Sequence, residues 1–165
     1  MEFEFRHQSQ LTEHEIEKIV SLKKLHWNYS AEEHKNWINN NLLKDDIHVL
    51  MLENEVIVGY LNLIQTAVIL NNETRNFLGI GNVCSKEKGK GYGKKLLMEV
   101  NNYLVINKKK GILLCKDELT VFYKKSNWIL LDKCLTSQVF SETINVLLFN
   151  IDCKIISFNY TGRNF

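Results

Sequence analysis

The stretch Val83-Cys84-Ser85-Lys86-Glu87-Lys88-Gly89-Lys90-Gly91-Tyr92-Gly93-Lys94-Lys95-Leu96-Leu97 joins two periodicities. An apolar segment closes at Val83. A charged turn follows, with Gly89, Gly91 and Gly93 on alternate positions. Then Leu96, Leu97, Val100 and Leu104 recur at helical spacing. The pattern predicts a strand, an anion-cradling turn and a helix over about 92–107. Glycine permits positive φ and close approach of a ligand. The free amides and positive dipole end of a helix start suit an anion. Lys88, Lys90, Lys94 and Lys95 add positive charge, so a phosphate or pyrophosphate is the natural guest.

The spacing discriminates among glycine turns. A Walker A loop needs G-x-x-x-x-G-K-[ST]. Here Lys88 stands where its first glycine belongs, and Lys95 follows Gly93-Lys94. A dinucleotide fingerprint needs G-x-G-x-x-G, and this chain has G-x-G-x-G. Lys88-Gly89-Lys90-Gly91-Tyr92-Gly93 fits [RQ]-x-x-G-x-[GA] after a strand ending in valine, except that Lys88 replaces Arg or Gln. Downstream, Phe122-Tyr123-Lys124-Lys125 and Asn127-Trp128 form a second pattern, a short helix ending F-Y-x-K before a G-[FW] turn, with Asn127 for Gly. Asparagine tolerates the left-handed conformation that such a turn needs.

Together the two patterns resemble the GNAT superfamily of N-acetyltransferases. They span 83–128, and the order of elements extends the likeness to about 1–151. Ser85 departs from the proline many members carry. The resemblance implies an α/β (α+β) fold with a mixed, mostly antiparallel sheet of about seven strands and helices on both faces. The implied order is β-α-α-β-β-β-α-β-α-β-β. The strands ending at Val83 and Cys115 would splay apart around acetyl-CoA. Coenzyme A would contact Val83, Cys84, Lys88, Gly89, Lys90, Gly91, Tyr92, Gly93, Lys94 and Phe122. Backbone amides of Val83 and Cys84 would polarise the acyl carbonyl. Tyr123 would protonate the leaving thiolate as general acid. The reaction implied is direct transfer of acetyl to a primary amine of a small molecule or peptide. The alternatives are a catalytically silent coenzyme-A-binding module and a phosphate-binding protein of another fold.

Other features bound this reading. A chain of 165 residues is one domain of ordinary size, and 45% hydrophobic with 24% charged residues is typical of globular chains. Net charge of +2 gives no strong pull towards nucleic acid or an anionic membrane. Four cysteines without C-x-x-C spacing argue against structural zinc. No apolar leader opens the chain, so a cytoplasmic monomer or homodimer is expected. Proline is absent.

Along the chain, Glu2 to Arg6 alternate as a strand. Thr12-x-x-Glu15 and Ser30-x-x-Glu33 are capping boxes opening two helices, the first running to about His26. Ile16, Ile19, Val20 and Leu22 should face inward, as should His34, Trp37, Ile38 and Leu42. His48–Leu52 and Val56–Leu70 read as strands about a turn at Glu53-Asn54-Glu55, with a second turn at Asn71–Thr74. Gly79 and Gly81 suggest a bulge in the strand from about Arg75. Lys108-Lys109-Lys110-Gly111 should stop the helix, with basic residues at its negative end, and Asp117 should cap a short helix to Lys125. Ile112–Cys115, Trp128–Leu131 and Val146–Ile151 read as further strands, with a polar loop over 132–145. The tail from Cys153 packs on the body and frays from Thr161 to Phe165.

His26 and His34 read as packed or surface residues rather than catalysts, Cys115 as strand-end packing rather than a nucleophile. Trp27, Tyr29, Trp37 and Tyr60 read as aromatic core or as pocket walls. Asp45, Asp46, Glu73 and Asp132 are carboxylates that a polycationic acceptor would need to find converging. The general base has no clear bearer: residues 75–83 and 56–70 hold no carboxylate, and Glu53 and Glu55 lie in a turn. An ordered water, oriented by Asn82, or an amine arriving deprotonated would serve instead.

Overall fold

Two reciprocal caps start the first two long helices, as the sequence predicts. Thr12 Oγ1 accepts from the Glu15 amide at 3.3 Å, and Glu15 Oε2 accepts from the Thr12 amide at 2.8 Å. Ser30 and Glu33 repeat the arrangement at 3.2 and 2.7 Å. Each box satisfies two helix-end donors. The Thr12 amide is the main reason the Glu15 carboxyl is held below the usual carboxylate range. Helix α1 then runs Glu13–Lys23 and α2 runs Ala31–Asn41. α1 ends before the expected His26, because the amides of Leu25 and His26 tighten onto the Leu22 and Lys23 carbonyls.

The computed structural model describes residues 1–136, 139–163 and 165. Strand β1 (Glu2–His7) precedes α1. After α2 come β2 (Ile47–Glu53), β3 (Val56–Leu70), β4 (Glu73–Ser85), α3 (Tyr92–Ile106), β5 (Lys110–Cys115) and α4 (Asp117–Lys124). β6 (Ile129–Leu130), α5 (Lys133–Thr136), β7 (Asn145–Phe149) and β8 (Phe158–Tyr160) complete the chain. The mostly antiparallel sheet runs β1-β2-β3-β4-β5-β7-β6, with β8 on β3. The implied order of elements is therefore present. It gains an eighth strand, and α5 lies inside the expected polar loop, of which residues 137–138 fall outside the described residues.

The chain divides into two compact units, and β3, β4 and α3 each contribute to both. The first comprises Met1–Ile64, Gly81–Val100 and Phe165. Here β1 and β2 pair antiparallel from Glu2↔Leu52 to His7↔Ile47. Asn54 and Glu55 form a two-residue hairpin, both at positive φ (50° and 63°), and Glu53↔Val56 closes it. That twist matches the flanking strands. The apolar stripes of both helices reach one core: Ile19, Val20, Leu22, Ile38 and Leu42 are buried with Leu50, Ile57, Tyr60 and Ile64. Each such side chain contributes about 1.5–3 kcal/mol by leaving water. Tyr60, one of the four aromatics read from sequence as core or wall, is core.

The second unit comprises Gln65–Ile80 and Asn101–Asn164. β4 pairs parallel with β5 from Phe77↔Lys110 to Ile80↔Leu113, and β5 pairs antiparallel with β7. Asn71 and Asn72 (φ 53° and 65°) make the second hairpin turn. The Asn71 side chain also binds the tail, accepting from the Ile156 amide at 2.8 Å and donating to the Lys154 carbonyl at 2.8 Å. This leads the tail into β8, which pairs with β3 over Val68–Leu70.

Three expected details change here. The stop after α3 falls inside the expected segment but at its first residue, Lys108 at φ 52°, with Lys108 and Lys109 amides bonded to Val105 and Leu104 carbonyls in a Schellman closure. Gly111 lies inside β5 instead, where a Cβ would stand 2.7 Å from Trp128 and 2.9 Å from Leu104. Asp117 is the first residue of α4, not its cap; Lys116 holds that place, and Asp117 Oδ1 accepts from Asn145 Nδ2 at 2.6 Å. Trp128 precedes β6 rather than opening it. Its indole donates to Asn101 Oδ1 at 2.9 Å and stacks on Phe149 at 5.3 Å, which turns it inward.

His48 is fully buried in the first unit. Its Nε2 donates to Gln8 Oε1 at 2.5 Å, and its Nδ1 accepts from Tyr60 Oη at 2.9 Å. Burial pushes its pKa down to about 4. The unfolded value is near 6.5, so folding favours the neutral ring. The stability this contributes is complete above about pH 6.5 and is lost as pH falls through about 4, roughly 3 kcal/mol in all. Urea midpoints should fall over that window in the parent, and His48→Gln should flatten the fall. A profile unchanged in the variant would assign the acid loss to carboxylates.

Candidate functional site

The turn after β4 is built from backbone geometry. Gly89 and Gly91 take φ of 82° and 75°, and nothing lies within 4 Å of a Cβ placed on either. Gly93 differs from expectation. It is the second residue of α3, so the turn uses two glycines and the third starts the helix. The Lys95 amide bonds to the Gly91 carbonyl at 3.1 Å, opening the helical ladder. Amides before it belong to the first turn, which has no partners inside a helix. Leu96, Leu97, Val100 and Leu104 are fully buried and fix α3 by its apolar stripe. Lys86, Lys88, Lys90, Lys94 and Lys95 are exposed around the turn. The donor set is thus amides and ammonium groups around open space, which fits a pyrophosphate.

Contacts within the first unit hold this turn. His26 Nε2 donates to the Ser85 carbonyl at 2.6 Å, and the Lys86 amide donates to the Val58 carbonyl at 2.9 Å. Tyr92 Oη donates to Glu53 Oε2 at 2.9 Å, so Glu53 is engaged in positioning α3. That bond, more than burial, raises the Tyr92 phenol. Of the two readings the sequence leaves for His26 and His34, packed or surface, the structure has them packed; burial is the main reason the His34 ring is held below the usual histidine range.

Just before the turn, β4 breaks a strand rule. Asn82 takes φ 54° inside it, one position past Gly81. Asn82 Nδ2 donates to Asn62 Oδ1 at 2.7 Å, and Asn62 Nδ2 is a buried donor without a partner among the described residues. Gly81 has a separate reason to lack a side chain: a Cβ would stand 2.7 Å from the Phe165 carbonyl carbon. The end of the tail, expected to fray, therefore returns to the first core, where Phe165 is half-buried; residue 164 lies outside the described residues. Val83 follows half-buried, and Cys84 is buried with its thiol pushed up to about 12 by desolvation.

In the second unit, Phe122 and Tyr123 lie on α4, with ring centroids 5.0 Å apart and edge to face. Tyr123 is buried and also meets the Trp128 edge at 6.5 Å. Burial, with the nearby Cys115 second, pushes its phenol up to about 12, and its hydroxyl bonds to no described residue. Asn127 takes φ 65°, so it fills the glycine position of the turn. Cys115 is buried, its thiol at about 11, chiefly through desolvation.

Three of the four carboxylates named for a polycationic acceptor are engaged locally. Asp46 accepts from the Leu43 amide, Glu73 pairs with Arg75 at 3.0 Å, and Asp132 accepts from the Cys134 amide at 3.0 Å. Sequence reasoning missed the Asn62–Asn82 pair, the return of Phe165, and Lys23. The last is legible after the fact: Lys23 stands seven positions after Ile16, on the apolar stripe of α1.

Residues 7–128 match the Acetyltransferase (GNAT) domain family. No curated protein matches the chain by sequence. Among solved structures, an acyl-CoA N-acyltransferase from Pseudomonas aeruginosa superposes with a TM-score of 0.66 at 16% identity, covering 90% of this chain and 98% of that one. Escherichia coli ElaA gives 0.66 at 18% identity, covering 90% and 99%. An aminoglycoside 6'-N-acetyltransferase complexed with coenzyme A gives 0.63 at 11%, covering 92% and 99%.

The Gly81 contact is directly testable. Gly81→Ala forces the Phe165 backbone or the Asn62 amide to move, at about 1–3 kcal/mol for an overpacked site. The thermal midpoint should fall by several degrees. An unchanged midpoint would show that the end of the tail does not rest there.

Proposed function

Because this chain belongs to the Acetyltransferase (GNAT) domain family, we propose that residues 1–165 act as one acetyl-CoA-dependent N-acetyltransferase domain. It would move acetyl directly to a primary amine of a small molecule or peptide. The observation that carries the reading is the turn of Gly89 and Gly91, at positive φ in open space, immediately before α3. The coenzyme A complex of the similarly folded aminoglycoside acetyltransferase supports the choice of cofactor.

Coenzyme A, when bound, supplies the acyl group as an activated thioester. Gly89, Gly91, Tyr92 and Gly93 would hold its pyrophosphate by backbone amides, with Lys88, Lys90 and Lys94 adding charge. Left-handed Asn82 interrupts the regular backbone of β4 ahead of Val83 and Cys84. Amides released from a ladder in this way are free to donate to an acyl oxygen. Phe122 would contribute apolar contact.

Tyr123 is the proposed proton donor to the leaving thiolate. At about 12 its phenol stays protonated at neutral pH. A thiolate near 8.5 is a weaker base than that phenolate by about 3 pK units, so full transfer runs uphill. Burial therefore favours a strong hydrogen bond to developing charge over complete transfer, which places the expected effect near the low end for general acids.

Two variants test these roles. Gly91→Val places a β-branched residue at φ 75°, so the turn must rearrange. Acetyl-CoA affinity should fall at least tenfold while circular dichroism stays native; unchanged affinity would remove this turn from the site. Tyr123→Phe should lower the single-turnover rate of acetyl transfer about 10²-fold with cofactor affinity unchanged. A rate within about threefold of the parent would make Tyr123 a packing residue.

A further inference from the structure

One buried charge in the first unit has no role so far. Lys23 is 2% exposed, at the end of α1. Its place on the apolar stripe carries it inward. Its Nζ lies 4.5 Å from the Trp37 ring centroid and 6.0 Å from that of Trp27. Among the described residues it makes no hydrogen bond or ion pair. Attraction to the two rings offsets only part of what desolvation costs an ammonium. Desolvation pushes its pKa down to about 8, so it remains mainly charged at neutral pH. The Cys84 thiol nearby is neutral, and the Glu33 carboxylate is held by the Ser30 amide.

Lys23 lines a cavity of about 510 Å³ together with Trp27, Tyr29, Glu33, Trp37, Asn82 and Phe165. That volume suits a small molecule. Its walls are flat and aromatic, which favours a planar apolar body. Among the described residues no anion bonds its cation, Lys23, and the Glu33 carboxylate on the same wall is already held by the Ser30 amide. Its wall also includes Asn82, beside the backbone proposed to face the acyl group.

We propose that this cavity is the acceptor site and that it takes an aromatic α-amino acid, whose carboxylate accepts hydrogen bonds from Lys23 Nζ. The inference rests on the N-acetyltransferase reading. The α-amino acid is favoured over longer amino acids because cation and β4 backbone share one small cavity, so the amine and carboxylate must be close neighbours. In the reaction, the amine nitrogen bonds the acyl carbon as the carbon–sulfur bond breaks. The amine loses a proton, and the departing thiolate gains one. Lys23 binds and orients; it takes no part in proton transfer.

The test compares L-phenylalanine with L-phenylalaninamide, which keeps the amine and the ring but lacks the anion. With acetyl-CoA and the parent enzyme, KM for phenylalanine should be at least tenfold lower than for the amide. Lys23→Met keeps the side chain's length and packing. It should raise KM for phenylalanine about ten- to a hundredfold, the usual worth of a hydrogen bond to a charged group, and leave the amide within threefold. An amide that performs as well as the acid in the parent, or a variant that weakens both alike, overturns the proposal. If Lys23→Met does not fold, the parent's preference decides alone. Tryptophan fluorescence titration without acetyl-CoA separates the two readings. Phenylalanine bound in a Lys23-dependent way but never acetylated upholds the site and removes the reaction. Acetylation of the amide alone upholds the reaction and removes the site.

Discussion

A chain without proline must reverse direction by other means, and this one does so with left-handed asparagine. Positive φ costs most side chains a clash with the backbone, and asparagine recovers part of that by local hydrogen bonding. Of the described non-glycine residues at positive φ, Asn54, Asn71, Asn72, Asn82, Asn127 and Asn150 are asparagine, and only Glu55 and Lys108 are not. The architecture hangs on these positions. Asn54 with Glu55, and Asn71 with Asn72, set the two hairpins and hence which face of β3 is buried. A slip of one residue would exchange its faces. Asn127 ends the turn that carries Trp128 inward. Asn82 does something different, since it bends a strand rather than linking two.

Burial acts on Cys84, Cys115 and Tyr123 in the same direction. The Cys84 thiol and the Tyr123 phenol rise to about 12 and the Cys115 thiol to about 11, each mainly by desolvation. At neutral pH a thiol near 12 is ionised in about one molecule in 10⁵. These groups are poor candidates for a covalent intermediate, and the chemistry left to them is hydrogen bonding. That agrees with direct attack by an amine on an acyl group.

Local signals carried most of the fold. The capping boxes at Thr12 and Ser30, the stripe of Leu96, Leu97, Val100 and Leu104, and the full span of β3 are written in neighbours a few residues apart, and all stand as read. The turn of Gly89 and Gly91 was legible for the same reason. What was not legible depends on partners far along the chain. Gly111 looks like a helix stop until Trp128 and Leu104 occupy the space of its side chain. Asp117 looks like a cap until Asn145 claims its carboxylate. Trp128 looks like a strand residue until Asn101 and Phe149 receive it. The tail pairs with β3 through Asn71, whose turn was readable while its second task was not.

These departures from local rules differ in kind. Gly111, Asp117, Trp128 and Lys108 each break a local expectation, and each is compensated by a contact or a hydrogen bond that the fold supplies. Lys23 and Asn62 also break expectations, as a cation on an apolar helical stripe and an amide in the middle of a buried strand. Among the described residues, the Lys23 ammonium meets two aromatic rings but no anion, and the buried Asn62 amide finds no acceptor. Natural folds retain such groups rarely, because an unsatisfied buried donor costs more than a satisfied one returns. Rules broken with compensation describe packing; rules broken without it point to a partner from outside the chain. Lys23 lines the aromatic cavity with Asn82, and Asn82 is the residue bonded to Asn62. The two uncompensated groups therefore flank one short segment of β4, which is where an acceptor and an acyl group would have to meet.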